Sequence, residues 1–62
     1  MKFYWLLEIS VDGRAAWLQD GMKYTHDAWS AKKFNTKEEA IQCAEKNRLH
    51  KYLIEEHGFC GV

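Results

Sequence analysis

Residues 3–19 read Phe3-Tyr4-Trp5-Leu6-Leu7-Glu8-Ile9-Ser10-Val11-Asp12-Gly13-Arg14-Ala15-Ala16-Trp17-Leu18-Gln19, and this stretch decides the fold. Phe3 to Ser10 alternates with period two. Phe3, Trp5, Leu7 and Ile9 face one way, and Tyr4, Leu6, Glu8 and Ser10 the other, as on a strand. Asp12-Gly13 between two extended runs signals a two-residue type I′ hairpin. That loop pairs Val11 with Arg14, Ile9 with Ala16 and Leu7 with Leu18, which fixes both faces of the ribbon. The face made of Phe3, Trp5, Leu7, Ile9, Ala16 and Leu18 is wholly apolar and is expected to be the core. Tyr4, Leu6, Glu8, Ala15, Trp17 and Gln19 form a mixed second face.

Working outward, Asp20-Gly21 marks a turn and Met22 to Thr25 a short third strand. Asp27 ahead of Ala28-Trp29-Ser30-Ala31 reads as the cap of a single helical turn. Lys32 to Phe34 then returns to the sheet, with Phe34 as a core anchor. Thr36-Lys37-Glu38-Glu39 is a capping box opening a helix expected from Lys37 to about Arg48. Its inner face, Ala40, Ile41, Cys43, Ala44 and, at its end, Asn47, is made mostly of small side chains, which suits close packing on the large side chains of the sheet. Tyr52 and Ile54 alternate with Leu53 and Glu55, so Lys51 to His57 is expected to be a last strand, followed by a tail loosened by Gly58 and Gly61. The fold class is α+β: one domain over 1–62, a small antiparallel sheet packed against one helix in the order ββ-turn-αβ.

The chain has 62 residues, with nine Lys plus Arg against nine Asp plus Glu. Zero formal charge argues against a dedicated nucleic-acid binder, which draws most of its affinity from a basic excess. A hydrophobic content of 47% and an aromatic content of 15% exclude disorder. At this size apolar burial supplies of order 95 kcal/mol, and ordering the chain costs about the same. A fold this marginal leaves little rigid framework for a catalytic site, and self-association would stabilise it. No apolar run is long enough to span a membrane. Phe3 to Leu7 is too short for a signal-peptide core, and Cys43 and Cys60 are too few for a disulfide scaffold. The expectation is a soluble cytoplasmic protein with two free thiols.

Taken in order, Tyr4-Trp5-Leu6, then Thr25, Asp27, Ala31, Lys33 and Phe34, then Thr36, Glu38, Glu39 and Ala40, and finally Glu56-His57-Gly58-Phe59 resemble a loose family of short, uncharacterised bacteriophage and prophage proteins. The likeness runs over nearly the whole chain, although each motif is also what strand, cap and helix physics would ask for. Ala28 departs from the proline common at that position. The resemblance implies a phage-type accessory protein working in the host cytoplasm. It brings no established activity and no catalytic residues.

Four constellations bear on chemistry. His57 and Cys60, with Cys43 and His26 or His50, offer one loose pair where a zinc site normally has two close ones, so no metal and no other cofactor is expected. Glu55, Glu56 and His57 are adjacent, but only Glu55 and His57 share a strand face, and no nucleophile has an activating context; no enzyme is expected. Lys32, Lys33 and Lys37 near Trp29 could form a stacking-plus-charge platform for nucleic acid, the alternative reading of function. A second basic group, Lys46, Arg48, His50 and Lys51, follows the helix. The leading reading is a protein-interaction module that also forms a homodimer. Tyr4, Leu6 and Trp17 on the second face, with Trp29 on its turn, are the expected contact residues, because apolar patches rimmed by polar residues and rich in Trp and Tyr mark partner sites. The competing possibility is that a tail carrying Phe59 and Val62 folds back over that face.

Overall fold

The computed structural model describes residues 1–61. Strands β1 (Lys2–Val11), β2 (Arg14–Gln19) and β3 (Lys23–Thr25) are followed by a short 3-10 turn (Ala28–Ser30), helix α1 (Lys37–Lys46) and strand β4 (Leu53–Phe59). All pairings are antiparallel, in the order β3-β2-β1-β4. The fold is the small α+β architecture expected. The Asp12-Gly13 loop has φ of 53° and 76°, and the register Val11↔Arg14 and Ile9↔Ala16 follows from it. Both ribbon faces are therefore those read from the alternation.

β1 is the central strand, and its two faces are covered by different parts of the chain. On the first face Leu7, Leu18 and Phe34 pack beneath Ala40 and Ala44 of α1, flanked by Trp5, Ile9, Cys43, Leu49, Tyr52 and Ile54. The methyl side chains of Ala40 and Ala44 let the helix lie close over these bulky groups. On the second face Leu6, Ala31 and Phe59 form a separate cluster with Tyr4, Trp17 and Ala28. Segment 31–34 crosses from one face to the other where β2 and β1 part. The Lys32 amide donates to the Leu18 carbonyl, and Phe34 exchanges both backbone hydrogen bonds with Trp5 at 2.8 and 2.9 Å. This crossing places Ala31 above the sheet and Phe34 below it.

Both helix ends follow local chemistry. The Thr36 hydroxyl accepts from the Glu39 amide at 3.2 Å. At the other end the Arg48 amide donates to the Glu45 carbonyl and the Leu49 amide to the Ala44 carbonyl, a Schellman closure. Leu49 then packs on the first-face cluster. The helix stops two residues short of the expected end because Arg48 adopts φ of 57°. A side chain at that conformation is strained where glycine is not. Arg48→Gly is therefore expected to raise stability by about 0.5–1 kcal/mol, read as a higher urea midpoint with unchanged slope.

β4 begins and ends two residues later than the alternation suggests. Tyr52 joins the first-face cluster from the loop, and Gly58 lies inside the strand rather than in a loose tail. It pairs with Phe3. A Cβ at Gly58 would stand 2.6 Å from Met1 Sδ and 2.9 Å from Phe3 Cε1, so these two side chains lie across the strand in the space that glycine leaves.

Candidate functional site

The second face does not present the surface expected of it. Leu6 is fully buried, Phe59 is 3% and Ala31 5% exposed, and Tyr4 and Trp17 are half-buried. Leu6 is thus a core residue and is withdrawn as a contact residue. Tyr4 and Trp17 offer only part of their surfaces. The cover comes from two sources. β4 sets Phe59 on the same face as Tyr4 and Leu6, with ring centroids of Tyr4 and Phe59 6.1 Å apart. The 3-10 turn lies over the rest. Asp27 accepts from the Trp29 amide at 3.0 Å and the Ser30 hydroxyl at 2.9 Å, while the His26 ring bonds the Ala15 carbonyl of β2 at 2.9 Å. The competing reading of the tail holds for Phe59, as the last residue of a strand; Val62 lies outside the described residues.

Trp29 stays on the surface, 55% exposed, with its ring edge-on to Phe59 at 4.9 Å. Met1 and Phe3 are also exposed, on the opposite face but at the same end of the sheet, where β1 begins and β4 ends. Leu53, 59% exposed, opens β4 at its other end. Sequence reasoning missed Phe3 by assigning it to the core: α1 covers Leu7 but does not reach Phe3. Leu53 lies within the expected strand, but its exposure depends on β4 being outermost and on Leu53 pairing with Glu8, which alternation does not give.

These apolar side chains flank an open strand edge. β4 is outermost, and no described residue pairs with its free side. Trp5 directs both backbone groups to Phe34, so its pairing with Glu56 is a non-hydrogen-bonded one and the Glu56 N–H and C=O point outward. The same alternation turns the backbone groups of Ile54 and Gly58 outward, while Leu53, Glu55, His57 and Phe59 bond to β1. The opposite edge strand, β3, has only three residues.

The expected lysine platform does not form. Lys33 lies 4.8 Å from the Phe59 centroid on the second face, donating to the Trp29 carbonyl at 2.8 Å. Lys32 sits over Phe34 and pairs with Asp20 at 3.7 Å, and Lys37 is 6.0 Å from the Trp5 centroid. Phe34 and Trp5 are neighbours on the first face, so Lys32 and Lys37 lie there, while Lys33 alone stays beside Trp29 on the second.

An ionisable cluster does occupy the second face. His57 Nε2 lies 3.8 Å from Glu55 Oε1, and the His57 ring meets Trp17 edge-on at 5.8 Å. Glu8, opposite Trp17 in the register, completes the group; sequence spacing hid it because β4 returns beside β1 only in the folded sheet. A hydrogen bond to Glu55 that only protonated Glu8 can donate holds the Glu8 carboxyl above its ordinary 4.5, aided by burial and the Glu55 charge. The Trp17 indole N–H opposes the shift, although its Nε1 is buried without a well-formed hydrogen bond. The folded state thus holds more protons than the unfolded chain between 4.5 and the raised value, and stability falls as pH rises through that window. Glu8→Gln is expected to stabilise the protein near neutral pH, with the gain vanishing below about pH 4, as urea midpoints across pH would show.

Among the described residues no group of three His, Cys, Asp or Glu side chains is placed to hold a metal ion. Cys43 is half-buried on α1 and Cys60 exposed, both free thiols. A shallow hollow of about 300 Å³ lies between Glu8, Ile9, Ser10, Lys51, Tyr52 and Leu53 and holds no nucleophile paired with a base. No described helix is long and apolar enough to cross a membrane. No family model, curated protein or solved structure matches the chain.

Proposed function

We propose that this protein is a small interaction module, of the accessory kind implied by its resemblance to short phage proteins, and that it works in the cytoplasm by accepting an extended strand along the free edge of β4. The observation that carries this reading is the unpaired edge itself, with the backbone groups of Ile54, Glu56 and Gly58 turned outward and exposed Leu53, Phe3, Met1 and Trp29 beside it. An added strand gains main-chain hydrogen bonds from such an edge and specificity from the side chains flanking it. Phe3 and Met1, lying across Gly58, bring apolar surface toward the incoming strand that β4 alone would not provide.

Proline at an outward-facing position of an edge strand is tolerated by the fold but removes a donor from any added ladder. Glu56→Pro should therefore leave the far-ultraviolet circular dichroism nearly unchanged and abolish retention of extended peptides selected from a random display library on the wild-type protein. Peptides retained equally by the variant would show that the edge is not the docking surface.

A further inference from the structure

Three antiparallel registers bring two or more outward-facing β4 residues of each copy opposite one another, and they differ in what they juxtapose. Centring on Glu55 sets Glu55 against its own copy in a close pair. Centring on His57 sets His57 against itself and Glu55 against an aromatic ring. Centring on Glu56 engages Ile54, Glu56 and Gly58 of both strands in hydrogen-bonded pairs, for about six backbone bonds. It also places Glu55 opposite His57 of the second copy, and Leu53 opposite Phe59 of the second copy. Both of these are non-hydrogen-bonded positions, where side chains come nearest.

We infer that the strand accepted by the β4 edge is β4 of a second copy of this chain, paired antiparallel about a two-fold axis at Glu56, giving one continuous eight-stranded sheet. Three observations point to self-pairing. A donor meets an acceptor: each His57 ring, already 3.8 Å from its own Glu55, gains the Glu55 carboxylate of the second copy as a further partner. Exposed Leu53 gains an apolar neighbour. Ile54 falls opposite Gly58 of the second copy, over which Met1 and Phe3 lie, so those exposed side chains acquire an aliphatic contact. One element opposes the pairing, since Glu56 faces Glu56 across the axis at a Cα separation of about 5.5 Å. Like charges directly opposite weaken a sheet pair, which keeps the association reversible.

The inference rests on β4 being the docking edge, and sedimentation of the intact protein over a dilution series tests it. A concentration-dependent monomer–dimer equilibrium is expected. Glu56→Gln should tighten it about two- to five-fold, and Glu56→Pro should leave folded monomer. His57→Glu should weaken it by setting two carboxylates across the axis, and adding Glu55→Lys to that variant should restore it by placing opposite charges there. A dimer that ignores both Glu56 variants would overturn the inference and the edge reading together. A wild type that stays monomeric throughout, yet holds extended peptides that Glu56→Pro releases, would overturn the second copy alone.

Discussion

Leu6→Glu is expected to unfold the protein. On a half-exposed ribbon face this change would alter stability by a few tenths of a kcal/mol. Leu6 instead has no exposed surface and sits between Ala31 above and Phe59 on the neighbouring strand. Truncating a buried leucine to alanine already costs about 2–5 kcal/mol. A carboxylate there is also desolvated, and the polar groups of the 3-10 turn are already engaged with Asp27 and with each other. Domains of this size have only about 3–5 kcal/mol in total. Loss of the circular dichroism spectrum and of any cooperative urea transition is the expected outcome. A folded Leu6→Glu protein with a wild-type midpoint would show that the 3-10 turn does not cover the second face.

Phe59→Ala is expected to cost about 3–5 kcal/mol, against about 1 kcal/mol or less for Trp29→Ala. The two rings touch, yet they do different work. Phe59 is 3% exposed and packs against Tyr4, Trp29 and His57, with the Lys33 ammonium over its face. Its removal opens a cavity on the second face and frees the 3-10 turn. Trp29 gives up little buried surface when truncated. Urea denaturation of both variants separates the roles; equal losses would mean that Trp29 carries the packing and is not a surface residue.

The hairpin, both caps and, apart from Phe3, the first-face core were legible because each is local: Asp12-Gly13 dictates its turn, Thr36 and Asp27 their caps, and alternation the faces. The fate of Leu6 was not legible. Nothing local says that residues 26–31 lie over the second face, since that placement depends on 31–34 slipping between β2 and β1 and on the His26 bond to Ala15. Phe59 was missed as a strand residue because Gly58 reads as a breaker. Only the side chains of Met1 and Phe3 lying across it explain glycine within β4. The open edge was invisible for the same reason, as it exists only once β4 is placed beside β1 and outermost.

Amide hydrogen exchange resolved by residue, recorded on the wild type at low and high protein concentration, bears most directly on the role of β4. The amides of Glu55, His57 and Phe59, bonded to β1, should be equally protected at both concentrations. Those of Ile54, Glu56 and Gly58 should exchange freely in dilute solution and slow as concentration rises. Fast exchange at these three positions at every concentration would contradict a paired edge, and protection already complete in the dilute monomer would contradict an open one.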